Sequence, residues 1–166
     1  MLPRCITCVR SLITAGVLLA PIALAAPLTA SALADSGPFQ VLYIFPGVTD
    51  SGGPTPDGVA TAVHCFSFSP SEESIQYVVR NSQGALEATS TTDINQFQTL
   101  TVTTHSTNIY AASVVVTHAI NQGVLGISAT STNIVCTAQV IDASATVPNG
   151  IDLHGARFNP ISGSQE

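Results

Sequence analysis

Four histidines and three aspartates are the side chains of this sequence that could carry catalysis or bind a metal ion. They are His64, His105, His118, His154, Asp50, Asp57 and Asp152. Imidazole and carboxylate groups act as general acids and bases and as ligands of divalent metals. Metal sites usually include two ligands at a short spacing, and no two of these histidines are close in sequence. We therefore expect separate surface or half-buried histidines and no bound metal; two histidines brought together from different strands of a sandwich are the alternative.

A small hydrolase or metal-dependent enzyme is the alternative interpretation of the same residues. It would use two of the histidines, with Asp50, Asp57 or Asp152 as ligands or orienting groups. The sequence has no G-x-S-x-G nucleophile elbow, and its many Ser and Thr residues suit the solvent-facing positions of strands. The pattern favours a non-enzymatic protein, with no catalytic residue and no cofactor.

Two further features could contact a ligand. The segment 50–58 combines two aspartates with a Gly- and Pro-rich backbone, and calcium prefers such oxygen ligands. Its spacing matches no EF-hand, so an exposed loop is favoured, and its length makes it the strongest indication of a functional loop. Arg157 could hold the carboxylate of a ligand, although a lone Arg in an acidic chain more often pairs with an Asp or Glu.

The first residues are typical of a secretory signal peptide. Arg4 and Arg10 precede an apolar run from 11 to about 28, and small residues lead to an A-x-A pattern that ends at Ala34. Cleavage after Ala34 is preferred, with Ala25 as a second position, and an uncleaved membrane anchor is the alternative. The predicted mature chain is a single domain, residues 35–166, in the periplasm, at the cell surface or outside the cell. We expect no stable membrane insertion after cleavage.

The predicted mature chain is acidic and holds two cysteines. It has no Lys, and its two Arg and ten acidic residues give a formal charge of −8 with histidine neutral. Such a chain repels phosphate backbones, which argues against nucleic acid as a partner. Cys65 and Cys136 predict a disulfide, because exported chains meet oxidising conditions, and two separate buried thiols are the alternative.

Strand-forming residues separated by Gly, Pro and Asn turns predict an all-β protein. The candidate strands are 39–45, 61–69, 75–80, 85–91, 97–104, 109–117, 124–129, 134–141 and 151–158. Turns are expected at 81–84 and at 121–123. Eight or nine short strands at regular spacing favour an antiparallel two-sheet sandwich, in which Cys65 and Cys136 would face each other through the core. That arrangement resembles the inter-sheet disulfide of immunoglobulin domains, but the chain has no Trp and Ile134 stands where a corner Tyr is expected.

The C-terminal sequence carries one resemblance. Residues 149–160, NGIDLHGARFNP, and the strand around Cys136 are similar to the end of a group of exported bacterial β-sandwich-like proteins without a known activity. The resemblance implies export and a bacterial origin and no mechanism. Together with the absent catalytic pattern, it favours a structural or binding module, in which an exposed sheet edge can pair with a strand of a protein partner.

Overall fold

The computed structural model describes residues 38–115 and 118–158, and the predicted signal peptide, residues 1–34, lies outside this range. Ten strands and no helix are found among the described residues. The strands are β1 (Gln40–Asp50), β2 (Val59–Ser67), β3 (Glu73–Asn81), β4 (Leu86–Ile94), β5 (Thr99–Thr103), β6 (Ser113–Val114), β7 (Ile120–Ala129), β8 (Ile134–Asp142), β9 (Ile151–Leu153) and β10 (Ala156–Arg157). No helix with the length and hydrophobicity needed to cross a membrane therefore occurs in this part of the chain.

The strands form two five-stranded sheets, which confirms the predicted two-sheet sandwich. Sheet I has the order β10-β1-β7-β3-β4, and sheet II has the order β6-β5-β2-β8-β9. All pairings are antiparallel except that of β5 with β6. The inner faces of both sheets contribute to one apolar core, in which Tyr77 and Ile127 of sheet I and Val63 and Ile134 of sheet II are buried. Alternation of inward and outward side chains along each strand produces this core from the sequence pattern.

The hairpin between β3 and β4 forms at the predicted turn. Gly84 donates its N–H to the carbonyl of Asn81, and Gly84 has a φ of 81°, a conformation that suits glycine. The turn expected at 121–123 is wrong, because β7 runs unbroken from Ile120 to Ala129. Its partner β1 likewise continues through Pro46 and Gly47 to Asp50, with shifts of register that absorb the Pro-Gly pair as bulges.

The strand predicted over residues 109–117 is also wrong for its described part, where only Ser113 and Val114 form a strand. The preceding residues cross the outer face of sheet II instead. Tyr110 packs there against a small buried cluster of Ala60, Ala62, Ile141 and Ala143. Apolar residues in this segment therefore cover a second, satellite cluster, which short-range periodicity does not distinguish from a strand.

The last predicted strand, 151–158, divides between the two sheets. Strand β9 pairs with β8 in sheet II, and β10 pairs with β1 in sheet I. The crossing between them occurs at His154 and Gly155. A Cβ at Gly155 would overlap the ring of Phe45, so the close approach of the backbone to the core requires glycine there.

The disulfide is present, but its placement differs from the expected one. The Sγ atoms of Cys65 and Cys136 are 2.11 Å apart, and their Cα atoms are 4.1 Å apart. The two residues are direct partners on β2 and β8, so the bond lies within sheet II and not between the sheets. The expectation of a bond through the core is wrong because both cysteines point inward from neighbouring strands of the same sheet.

Candidate binding face

The outer face of sheet II carries an unusual combination of polar and aromatic side chains. Cys65 points inward from the middle of β2, so alternation directs His64 and Phe66 outward. Their cross-strand neighbours on β5 and β8 are Thr101, Thr137, Thr99 and Val135. The Cys65–Cys136 bond joins β2 to β8 on the opposite, inner face, at the position between these two outward-facing rings.

Two exposed phenylalanine rings stack on this face. The rings of Phe66 and Phe97 have centroids 6.4 Å apart and planes inclined by 22°. Phe97 lies in the loop between β4 and β5, and its side chain is 69 % exposed. Its N–H donates to the carbonyl of Ser67 at 2.8 Å, which fixes the loop beside the end of β2. Phe68, two residues beyond Phe66, is a third exposed ring.

Phe97 also has an unfavourable backbone conformation. Its φ is 59°, and it is the one non-glycine residue with positive φ in the described part of the chain. Bulky side chains rarely adopt this left-handed region, because Cβ approaches the following carbonyl, whereas Asn and Gly tolerate it. The fold thus holds a large apolar ring in solvent on a strained backbone, with little burial to compensate for the strain.

A half-buried polar network borders the aromatic rings. His64 Nδ1 is 3.0 Å from the hydroxyl of Thr101, and the Gln139 amide nitrogen is 3.1 Å from His64 Nε2. The same amide donates to the Tyr110 hydroxyl at 2.7 Å, and the rings of His64 and Tyr110 meet edge to face at 4.8 Å. Because an amide nitrogen can only donate, His64 Nε2 accepts and the neutral imidazole carries its proton on Nδ1. Burial lowers the pKa of His64, which favours the same neutral form.

We define the aromatic face by the side chains that share this surface. They are Phe66, Phe68, Phe97, Val135, Thr99, Thr101, Thr137, His64, Tyr110 and Gln139. Not one of these is an Asp, Glu or Arg, although the described chain is acidic. The face can therefore stack against an apolar surface and exchange hydrogen bonds, but it offers no charge to an ionic ligand.

A second histidine, His105, is fully buried against Asp50. Its Nδ1 lies 2.5 Å from Asp50 Oδ1, and its Nε2 lies 3.2 Å from the carbonyl oxygen of Asp57. Asp50 Oδ1 also accepts from the N–H of Gly52 at 2.7 Å. Both ring nitrogens of His105 are thus engaged by oxygen atoms of the protein, one by a carboxylate and one by a backbone carbonyl.

This buried pair fastens the loop between β1 and β2. His105 joins the last residue of β1 to the backbone of Asp57, and Ser51 exchanges hydrogen bonds with Val59 across the base of the loop. The exposed loop is therefore shorter than the segment 50–58 that the sequence indicated, since Asp50 is the last residue of β1 and is buried. A general base needs a ring nitrogen that can reach substrate, and here Nε2 is occupied by a backbone carbonyl.

The other candidate ligands do not assemble. His118 is exposed, with Nδ1 at 3.7 Å from Glu87 Oε2, and His154 is exposed between β9 and β10. Asp57 contacts His105 through its backbone, and its side chain is exposed. Within residues 38–115 and 118–158, no three His, Cys, Asp or Glu side chains lie close enough to hold a metal ion together.

Arg157 is engaged by the protein and not by a carboxylate among the described residues. Its Nη2 donates to the carbonyl of Thr132 at 3.1 Å, and its guanidinium lies 5.6 Å from the centroid of the Tyr43 ring. These contacts tie β10 to the turn between β7 and β8 and to β1. Arg157 therefore helps to pack the C-terminal strand β10 against the rest of the sandwich.

A shallow pocket of about 460 Å³ opens between the start of β2 and the end of β8. Val59, Ile141 and Ile151 line it, with Asp142 as its carboxylate. Hydrogen bonds from the Ser144 hydroxyl and N–H lower the pKa of Asp142. His105 and Asp50 are not part of the lining, so the pocket brings no histidine–carboxylate pair into contact with solvent.

A second buried carboxylate, Glu73, was not predicted from the sequence. Burial alone would raise its pKa, but hydroxyl hydrogen bonds from Ser69, Thr130 and Ser71 outweigh it, and the pKa is lowered. The hydroxyls of Ser69 and Thr130 donate to different oxygens of Glu73, each at 2.5 Å. The spacing S-x-S-x-E at 69–73 was the available indication. Because the carboxylate is enclosed by its own donors, Glu73 stabilises the turn before β3.

The fold and the aromatic face together define a disulfide-linked β-sandwich with an exposed, uncharged aromatic surface on one sheet. The chain matches no protein-family model, no curated protein and no solved structure. Its function is therefore inferred from its own residues.

Proposed function

We propose that this chain is an exported, non-catalytic module that binds a ligand or partner through the aromatic face. The observation that carries the proposal is Phe97, a 69 % exposed aromatic ring held at a φ of 59° beside Phe66. Strained backbone and exposed aromatic clusters are features of interaction sites, because neither contributes to the stability of the isolated fold.

Export belongs to the proposal and is supported by the sequence. The N-terminal pattern of a signal peptide, the resemblance of residues 149–160 to exported bacterial proteins and the Cys65–Cys136 disulfide agree with one another. The periplasm, the cell surface and the external medium are the compartments in which such a disulfide persists.

The alternative of a small hydrolase or metal-binding protein receives less support from the geometry. The buried His105–Asp50 pair has the composition of a catalytic dyad, but both ring nitrogens of His105 already have protein partners. His64 is half-buried in a hydrogen-bond network without a carboxylate. Turnover of common esters, peptides or glycosides well above background by the purified protein would contradict the proposed function.

A sheet edge is the second surface through which a partner could bind. Strand β4 is the last strand of sheet I and offers nine residues without proline. Antiparallel pairing of two β4 strands about Ser90 would place Glu87 opposite Asp93 of the other copy, and like charges in that arrangement repel. The edge therefore favours a different, basic strand over a second copy of this chain.

Binding to material from the exporting cell tests the proposal. Purified protein is mixed with the cell envelope and with the culture medium, and the bound fraction is measured. We expect binding that is weakened in Phe97→Asn and in Phe66→Ser. Leu86→Ser, which removes an exposed apolar side chain from sheet I, should leave the binding unchanged. If binding is lost instead in Thr91→Lys, the β4 edge is the binding surface, and absence of binding to both fractions would contradict the proposal.

A further inference from the structure

The amount of exposed aromatic surface limits the size of the ligand. Phe66, Phe68 and Phe97 are 38 %, 43 % and 69 % exposed. With ~200 Å² for each ring, they offer roughly 300 Å² of aromatic surface. A stable dimer buries about 800 Å² on each partner, so the three rings would supply less than half of such an interface. A narrow ligand that lies along the rings suits it better.

The chemistry of the face limits the ligand further. Rings alternate with hydroxyl, amide and imidazole groups, and none of the side chains of the face carries a fixed charge. A pyranose ring has the matching surface, because its axial C–H groups form an apolar face and its hydroxyls extend from the edge. The C–H face can stack on Phe66 or Phe97, while the hydroxyls of Thr99 and Thr137, which are exposed, exchange hydrogen bonds with the sugar.

The spacing and rigidity of the face also suit an extended chain of sugars. His64 and Phe66 project from the same side of β2 and are separated by roughly 6.7 Å of strand. On the inner face, the Cys65–Cys136 bond joins β2 to β8 at the intervening position, so these two strands and their outer side chains are held in place before a ligand arrives. A pre-organised surface loses little conformational entropy on binding.

We propose that the aromatic face binds a neutral polysaccharide. Its sugar rings stack on Phe97 and Phe66, and the sugar hydroxyls point toward Thr99, Thr137 and the hydrogen-bonded His64 and Gln139. This inference rests on the proposed function and adds the chemical class of the ligand. The strain at Phe97 is then explained by the ligand, since a ring in this position serves binding and not the folded core.

Affinity gel electrophoresis tests the inference with the mature chain and its disulfide intact. The gels contain hydroxyethylcellulose, xylan, galactomannan, laminarin or dextran as neutral polysaccharides, and alginate as a polyanion. We expect retardation by at least one neutral polysaccharide, and binding about tenfold weaker in Phe97→Asn and in Phe66→Ser. Leu86→Ser, which removes an exposed apolar side chain from sheet I, is expected to bind as the parent chain does.

Two kinds of result would overturn the inference. Retardation by none of the neutral polysaccharides, or by alginate alone, rules out the ligand class. If binding to cell-derived material is still lost in Phe97→Asn, the face remains a binding site and its ligand is an apolar peptide or another molecule. Equal retardation of Phe97→Asn and the parent chain rules out the face as the site of polysaccharide binding.

Thermal unfolding of the same variants separates binding from packing. Asn tolerates positive φ, so Phe97→Asn is expected to unfold at the same temperature as the parent chain or at a higher one. A lower unfolding temperature would show that Phe97 stabilises the fold, and the explanation of its strain by a ligand would then be wrong.

Discussion

His105 and Asp50 show how a pair with the composition of a catalytic dyad can serve structure. The His105 ring uses both of its nitrogens within the protein, one toward the Asp50 carboxylate and one toward the carbonyl of Asp57. The exposed fraction of His105 is 0 % and that of Asp50 is 1 %, so neither group is open to a substrate. The pair therefore connects the end of β1 to the loop that follows it and to the segment that follows β5.

Removal of the Asp50 carboxylate should be costly. Asp50→Asn replaces the charged acceptor of the His105 ring and of the Gly52 N–H, and we expect a loss of about 2 kcal/mol in the free energy of unfolding. Asp57→Asn is the matched control, because only the backbone of Asp57 contacts His105, and it should change the stability little. Urea unfolding monitored by circular dichroism measures both. Equal effects of the two substitutions would contradict the assigned role of the Asp50 side chain.

His64 should bind a proton less readily in the folded protein than in the unfolded chain. Burial lowers its pKa, so the unfolded state takes up the proton first as the pH falls. The stability that neutral His64 contributes is complete above the unfolded pKa of about 6.5 and decreases as the pH falls toward the folded pKa. NMR titration of the imidazole should give a lower midpoint in the native protein than in urea.

Burial, and not the Thr101 hydroxyl, is the cause assigned to this shift. Thr101→Val keeps the size of the neighbouring side chain and removes the acceptor of Nδ1. The native midpoint of His64 in this variant should remain below that in urea. A native midpoint at or above the urea value in the parent protein would contradict the assignment.

At the scale of elements, the C-terminal segment links the two sheets. Strand β9 extends sheet II and β10 extends sheet I, and the backbone crosses from one to the other over the ring of Phe45. Arg157 adds contacts to Thr132 and to the Tyr43 ring from the second of these strands. The segment closes one side of the sandwich and depends on a residue without a side chain at the crossing.

Gly155→Ala should destabilise the protein. The new methyl group would overlap the Phe45 ring, and overpacking of a core costs about 1–3 kcal/mol. Gly126→Ala is the matched control, because a Cβ at Gly126 on β7 would meet the Ile44 side chain at an ordinary 3.6 Å. Thermal unfolding of the two variants compares them. A Gly155→Ala protein as stable as Gly126→Ala would mean that the crossing has room for a side chain.

At the scale of the whole molecule, the disulfide joins two strands that are far apart in sequence and central in sheet II. Cys65 and Cys136 are separated by 71 positions, and the intervening chain includes strands of both sheets. The bond therefore restricts the unfolded ensemble over half of the described chain. It also lies under the aromatic face, where it couples stability to the geometry of the proposed site.

Loss of the disulfide should lower the stability of the entire sandwich. In the chain-entropy model a loop of this length stabilises the folded state by roughly 4 kcal/mol. The double variant Cys65→Ala/Cys136→Ala should unfold at a clearly lower urea concentration, in a single transition. Dithiothreitol should shift the parent protein in the same direction and leave the double variant unchanged. Equal midpoints for the parent and the double variant would contradict a stabilising role.

The sequence by itself determined the class of fold and most of its strands. Alternating apolar residues around Cys136 and between Ile75 and Arg80, with a turn at 81–84, are local patterns with a direct physical meaning on a pleated strand. The disulfide was also predicted, because Cys65 and Cys136 are the two cysteines of the predicted mature chain. Local patterns gave a wrong prediction where a segment packs on residues that are distant in sequence. The segment of Tyr110, predicted as a strand, covers the outer face of sheet II.

Tertiary structure alone decided which side chains meet. His105 and Asp50 are 55 positions apart, and the Gln139 amide reaches a histidine 75 positions away. Such contacts depend on strand order and register, which short-range periodicity does not encode. The stacked rings of Phe66 and Phe97 follow the same rule, since a loop with positive φ brings Phe97 beside the end of β2. This long-range pairing of strands places the candidate metal ligands apart from one another and assembles the uncharged aromatic face.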